Sequence, residues 1–406
     1  MTWSLLRLIF AQISIHACMT GMRMATPLLA LREGYSPAAV GVLLALFALT
    51  QVFLSLPAGR YADRHGLKRP LAISVVVASL GAGAAVLFPI YPVLCVAALC
   101  SGGASGAAII ALQRHVGRQA HDKVMLRKVF SWLAIGPAVS NFLGPFAAGL
   151  LIDYAGGEAA STTGFRAAFL LMALLPLSAW FWVRTLQETK PEPKPDSGKK
   201  QTAWDMLQNQ GFRRLLLMNW ALSSCWDVHT FVVPILGHER GLSASVIGSI
   251  LGAFAIAAAA IRLLIPLLSE RLSEWKVVMT AMVGACALFM VYPFMPNAWA
   301  MMACSICLGL VLGSVQPMVM SMIHQITPQH RQGEALGLRM MAINGSSVMM
   351  PVLFGSIGTV VGVSALFWAV GAIVGGSARL PWLVGQQNLK ADVLGPPAGE
   401  KPKSPL

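Results

Sequence analysis

The sequence predicts an all-α membrane protein in which twelve transmembrane helices form two pseudo-symmetric six-helix bundles. Three observations carry that reading. Hydrophobic residues make up 56% of the chain and charged ones 11%, and the mean hydropathy is +0.67. So little polar surface cannot coat a water-soluble globule of 406 residues, and the chain belongs in a bilayer. Apolar runs of about 20 residues recur near 4–26, 37–58, 69–89, 91–113, 128–152, 164–184, 212–234, 243–267, 276–294, 297–321, 334–360 and 363–384. Finally, the second half of the chain repeats the first.

The repeat is visible when positions 207 apart are compared: Pro27, Gly34 and Ser36 meet Pro234, Gly241 and Ser243. Gly41, Leu44 and Phe47 meet Gly248, Leu251 and Phe254, and Gly102 and Gly106 meet Gly309 and Gly313. At a spacing of 206, Ser140, Pro145, Gly149 and Gly156 meet Ser346, Pro351, Gly355 and Gly362, so one indel separates the copies. Domain organisation follows: a bundle over 1–186, a linker over 187–211, a second bundle over 212–384 and a tail over 385–406. The linker carries Pro191, Pro193 and Pro195 among charged residues, a composition that cannot pack a core, and the tail is expected to be equally unstructured. The first apolar run begins almost at Met1 but is too long and too polar in its outer half for a cleaved signal, so it is expected to stay as a helix.

A net charge of +14 invites a nucleic-acid reading, but the cations sit in alternating loops, not on one face, and report topology. Arg60, Arg64, Lys68 and Arg69 follow the second run. Arg114, Arg118, Lys123, Arg127 and Lys128 follow the fourth, and a further cluster from Arg184 to Arg214 follows the sixth. Both termini and the linker are therefore expected in the cytoplasm, with no nucleic-acid partner. Seven cysteines all fall in apolar runs and none needs oxidation. Cys304 and Cys307 have redox or metal spacing but no second pair, so they read as small packing residues and no metal is expected.

The loop after the second run reads Gly59-Arg60-Tyr61-Ala62-Asp63-Arg64-His65-Gly66-Leu67-Lys68-Arg69. It resembles the loop between helices two and three of the major facilitator superfamily, with Gly59, Asp63, Arg64, Gly66, Lys68 and Arg69 in the family's positions. The resemblance implies the major facilitator fold, alternating access between two bundles around a midplane site, and a gate latch at this loop. Ser140, Gly144, Pro145, Ala148 and Gly149 resemble the antiporter motif of the family's drug/proton antiporter branch, with Ser140 and Ala148 as small replacements. In that branch the element is taken to bias the carrier toward exchange. The arginine that the branch usually places early in span four is missing from Ala97 to Gly103.

Ionisable groups inside spans are expensive and so point to function. Asp227 lies in the middle of span seven, and by the repeat Ser223, Asp227 and Thr230 correspond to His16, Thr20 and Arg23. Spacings of four and three residues place each set on one helical stripe. Spans one and seven line the cavity in the family, so the stripes are expected to face each other. Asp227 would then carry a proton or bind a cationic group, with Arg23 pairing to it or receiving an anionic group and His16 as a second titrating candidate; a permanent salt bridge tying the halves together is the plainer alternative. Gln51, Asn141, Gln316 and Asn344 are candidate hydrogen-bonding groups of the cavity. Arg262 and Arg339 lie near cytoplasmic ends, where snorkelling or gate pairing is expected.

No phosphate-binding loop is present, so no nucleotide cofactor is expected and energy must come from a gradient. A membrane enzyme would need paired carboxylates, a histidine set or a serine elbow at a common depth, and none is found. A non-transporting sensor would carry an extra folded domain. The reading is therefore a monomeric secondary carrier in a bacterial inner membrane, performing proton-coupled efflux of a drug-like or amphipathic small molecule. Proton-coupled uptake of an organic anion or zwitterionic metabolite is the alternative.

Overall fold

A computed structural model describes residues 3–120, 122–155, 162–188, 202–242, 244–268 and 272–386. The first half contains α1 (Trp3–Arg32), α2 (Pro37–His65), α3 (Lys68–Leu87), α4 (Tyr91–Gln119), α5 (Lys123–Leu133), α6 (Ile135–Tyr154) and α7 (Thr163–Val183). The second contains α8 (Gln210–Glu239), α9 (Ala244–Leu268), α10 (Glu274–Val291), α11 (Ala298–Ile326), α12 (Gln332–Val361) and α13 (Val363–Gly376). Among the described residues ten helical stretches are long and apolar enough to cross a membrane. Two more helices of 30 residues, α8 and α12, run beside them.

Local chemistry sets the ends of these helices. Gly34 closes the first turn region with φ 80° and Gly241 closes its repeat equivalent with φ 70°, a backbone region that side chains with a Cβ avoid. Ser36 caps α2, with Pro37 pre-set at its first position, while Asp122 and Asn297 accept from backbone N–H groups at the starts of α5 and α11. The single span expected over 128–152 is two helices that meet at Ala134. Pro137 explains the break, because it has no N–H to offer the carbonyl one turn back.

Two other expectations are revised. Arg114 and Arg118 belong to the last turns of α4, and Lys123, Arg127 and Lys128 to α5, so these cations are helical and not in a loop. The linker region 187–211 is partly built. The carboxylate of Glu188 accepts from the N–H groups of Leu67 and Lys68 at 2.5 and 2.8 Å. Residues Ala203–Gln208 form a short 3₁₀ helix behind Thr202. Hydrogen bonds from the Thr202 hydroxyl and N–H hold the Asp205 carboxyl below the ordinary carboxylate range. The proline-rich stretch 189–201 and the tail from 387 lie outside the described residues.

Within the first half α1 packs on α4, α6 and α7, and α2 on α4; within the second α9 packs on α11, and α8 and α10 on α13. The repeat is written into these contacts. A Cβ on Gly102 would stand 2.3 Å from the carbonyl oxygen of Phe47, and one on Gly309 would stand 2.4 Å from that of Phe254. In each half a glycine thus lets two helix backbones touch at the same register. The halves meet where α2 lies along α12 and α5 along α9 and α11.

Gly102→Val and Gly309→Val should each lower stability by about 1–3 kcal/mol through overpacking. Because the sites lie in different halves, the double variant should show the sum of the two effects, as read from thermal unfolding in detergent.

Candidate functional site at the seam between the halves

The contact of α2 with α12 begins from glycine. Gly59 and Gly333 touch through their backbones, so that a Cβ on Gly59 would lie 2.0 Å from the Gly333 carbonyl oxygen. One turn along α12, a Cβ on Gly337 would lie 2.5 Å from the carbonyl oxygen of Ser55. This Gly-x-x-x-Gly step of α12 was not singled out from the sequence, although its spacing is the signal that marks close helix contacts.

That close approach brings Asp63, in the last turn of α2, to the start of α12. Its Oδ1 accepts from the N–H of Gly333 at 2.9 Å and its Oδ2 from the N–H of Glu334 at 2.9 Å. Arg114 of α4 donates Nε to Oδ1 at 2.6 Å and Nη2 to the Asp63 carbonyl at 3.2 Å. Asp63 and Arg114 are both buried. A carboxylate from one half therefore caps a helix of the other, satisfying N–H groups that lack intrahelical partners and sitting at the positive end of the helix dipole. Around it, Glu334 accepts from Arg60 at 3.0 Å and from Arg331 at 2.8 Å.

A second junction occupies the repeat-related position. Glu274, the first residue of α10, accepts from Arg127 of α5 at 2.9 Å, from Ser321 at 3.0 Å and from Gln325 at 2.8 Å. Ser321 is the repeat partner of Arg114 at a spacing of 207, and Arg127 that of Gly333 at 206. Nearby, Arg262 of α9 donates to the carbonyl of Ala134 at 3.0 Å, where α5 and α6 meet. The ring of Phe130 leans on His324 with centroids 4.8 Å apart. These seam contacts lie at the end of the molecule that carries the α2–α3 and α4–α5 turns, hereafter the basic end.

Among the sequence-predicted gate residues, Gly59 and Asp63 stand at the seam. Gly66 ends α2 with φ 77° against Glu188, and the Lys68 N–H binds the same carboxylate. Arg64 and Arg69 are exposed. Ser140, Gly144, Pro145 and Gly149 lie on α6. Ser140 donates to Ile13 of α1 at 3.2 Å, and a Cβ on Gly144 would be 2.3 Å from the Thr20 hydroxyl. The antiporter-like element thus includes the contact of α6 with α1.

The stripe residues divide. Asp227 of α8 is half-buried and accepts from the Ser347 hydroxyl of α12 at 3.3 and 3.4 Å. Arg23 is exposed, and the two charges feel each other through space without the ion pair that the facing stripes suggested. The reason is geometric: the halves close at the basic end, while these residues sit further along their helices. The hydroxyl of Thr20 is taken up by the Ser140 carbonyl at 2.8 Å, and that of Thr230 turns back to its own helix. Gln51 is buried against Gly106 inside the first half. Ser223, Gln316 and Asn344 are half-buried, and Asn141 is exposed. His16 is buried, with a ring nitrogen that has no hydrogen-bond partner among the described residues. Arg262 and Arg339 do not snorkel: both are buried, Arg339 against Asn219 at 3.2 Å. Neutral oxygens lower the cost of burying them.

Two helical bundles joined at one end by breakable charged contacts, with polar groups beyond the closure, define a multi-pass membrane transporter. The family model described as Major Facilitator Superfamily matches residues 8–226 and 215–405, and the chain belongs to that superfamily. It is 25% identical over 331 residues to the tetracycline resistance protein, class B, of Escherichia coli, covering 78% of each chain. It is 21% identical over 169 residues, 40% of this chain and 42% of the other, to an uncharacterised MFS-type transporter, YfkF, of Bacillus subtilis (strain 168). Its fold is similar to that of a bacterial homologue of the iron transporter ferroportin in an outward-facing state. That match has a TM-score of 0.76 at 14% identity and covers 96% of this chain and 100% of the other.

Removing one partner of the Asp63–Arg114 pair leaves the other charge buried without its counter-ion, at a cost of about 3–5 kcal/mol. Asp63→Asn and Arg114→Met should each lower the unfolding temperature, and the double variant should lose less than the sum. Additive losses in that cycle would mean that the pair is not a unit.

Proposed function

We propose that the protein is a proton-coupled efflux carrier of the bacterial cytoplasmic membrane, with both termini in the cytoplasm, that exports a drug-like or amphipathic small molecule as a monomer. The observation that carries this reading is the cap placed by Asp63 on α12 across the seam. It closes one end with contacts that water can replace, which is what alternating access requires. With the basic end cytoplasmic, as the distribution of Lys and Arg favours, the closed seam corresponds to an outward-facing carrier. The efflux direction draws support from the likeness to the tetracycline resistance protein and from the Gly144-Pro145 element packed on α1.

In this mechanism Asp227 takes up a proton from the open side. Its neutralisation lowers the cost of carrying it through the closing cavity. Release on the other side restores the charge and its attraction to Arg23, and the contacts of Asp63 and Glu274 break and re-form once per cycle. His16 is the second proton candidate. Uptake of an organic anion is the second reading, and it is favoured by Arg23, a cation on α1 outside the seam's ion pairs.

Two measurements in proteoliposomes test the proposal. Under an imposed pH gradient, screened over tetracyclines, amphipathic cations and organic anions, wild-type protein should drive efflux of an amphipathic compound; accumulation of an organic anion alone would favour the second reading. Asp227→Asn should abolish gradient-driven movement while sparing exchange of substrate for substrate, since exchange needs no net protonation. Undiminished gradient-driven transport in that variant would assign Asp227 a structural role.

A further inference from the structure

Away from the seam, a cavity of about 880 Å³ opens between α10 and the chain that follows α13. Its walls are Met279, Thr280, Val283 and Gly284 on one side and Ala378, Arg379 and Trp382 on the other. It lies on the outer side of the second half, where α10 packs on α11 and α13, and α13 on α8 and α12. Val283 and Trp382 are 56% and 43% exposed, so the cavity faces outward, into what would be lipid. Gly284 and Ala378, with little or no side chain, leave the space.

We infer that this groove binds an anionic phospholipid, its headgroup at Arg379 and its acyl chains along Val283 and Met279. The charge pattern carries the argument. Arg379 is exposed, and Lys276 stands one turn before Thr280 on α10, its Nζ 5.5 Å from the centre of the Trp275 ring. Among the described residues no acid lines the groove, residues 363–386 contain none, and the one acid of α10, Glu274, is buried and engaged by Arg127. No carboxylate among the described residues of the groove therefore cancels the field of these cations.

Depth agrees with charge. The two helical ends are level, since a Cβ on Gly385 would lie 2.5 Å from the Trp275 ring. Thr280 and Arg379 lie about 9 Å in from that end at the rise of an α-helix, a depth from which an arginine side chain can reach the boundary between headgroups and acyl chains. Trp382 and Trp275 are side chains suited to that boundary. Basic pockets between membrane helices on the cytoplasmic side are suited to acidic headgroups. Assigning the lipid to the inner leaflet rests on the orientation proposed above; the binding itself does not.

The test uses full-length protein, delipidated in detergent and then offered phosphatidylglycerol or phosphatidylcholine, with retained lipid counted by native mass spectrometry. Wild-type protein should retain phosphatidylglycerol preferentially. At about 1 kcal/mol for each cation, removal of both in Lys276→Gln with Arg379→Gln should cut that preference about 30-fold. Trp382→Ala should weaken retention of both lipids. Soluble glycerol phosphate in excess should not displace the lipid, because it lacks the chains that fill the groove. Equal retention of the two lipids by wild-type protein, unchanged preference in the double variant, or displacement by glycerol phosphate would each overturn the assignment. None of these readouts depends on transport, so failure here leaves the carrier mechanism untouched.

Discussion

A carboxylate that caps a helix belonging to the other half of the molecule is the constraint on which the rest of this structure turns. Asp63 is buried and would be costly there alone. It is stable because three N–H donors converge on it: the backbone groups of Gly333 and Glu334, and the guanidinium of Arg114. Two of those donors belong to the first turn of α12, which any polar acceptor, water included, can satisfy. The contact is therefore strong when dry and replaceable when wet, and a hydrophobic contact of equal area would lack that second property. Gly59 and Gly333 are the steric condition for it, since a Cβ on either would push the helices apart.

Duplication supplied two such junctions and left them chemically different. In the first, a carboxylate meets a helix terminus; in the second, the carboxylate of Glu274 meets the side chain of Arg127, with Ser321 and Gln325 completing its coordination. The asymmetry fits the packing, in which α2 lies along α12 more extensively than α9 lies along α5. One side of the seam is joined through backbone N–H groups and the other through side chains.

Much of the architecture was legible because it is written redundantly. The apolar runs and the repeat both point to two bundles, and Gly102 and Gly309 make equivalent contacts in space. The segment around Asp63 was legible as a pattern in consecutive residues, although it is the last turns of α2 and the start of α3 and not a loop. What could not be read were partners set by tertiary contact. Arg114 passed for a topological cation because its acid lies 51 positions away. Glu274 gave no signal in the sequence, since the position 207 before it is Leu67 and its partner Arg127 lies 147 positions away. Arg23 and Asp227 are not in direct contact for a related reason: a helical stripe fixes which way a side chain points but not how far the opposite helix stands. Thr20 shows the same limit, since its place on the stripe gave no hint that the Ser140 carbonyl would occupy its hydroxyl.

The dryness of the closed end has a consequence for the environment of the protein as a whole. Asp63, Arg114, Arg127, Glu274 and Arg262 are all buried at or beside the seam, and each must gain a hydration shell when the halves part there. Opening that end is thus also a hydration reaction, drawing a fixed number of waters out of the bulk. Solutes too large to enter the cleft compete for those waters and push the equilibrium toward closure, as excluded osmolytes do for other buried surfaces. The carrier is in this sense coupled to the water activity of the compartment onto which the basic end opens, whatever its substrate.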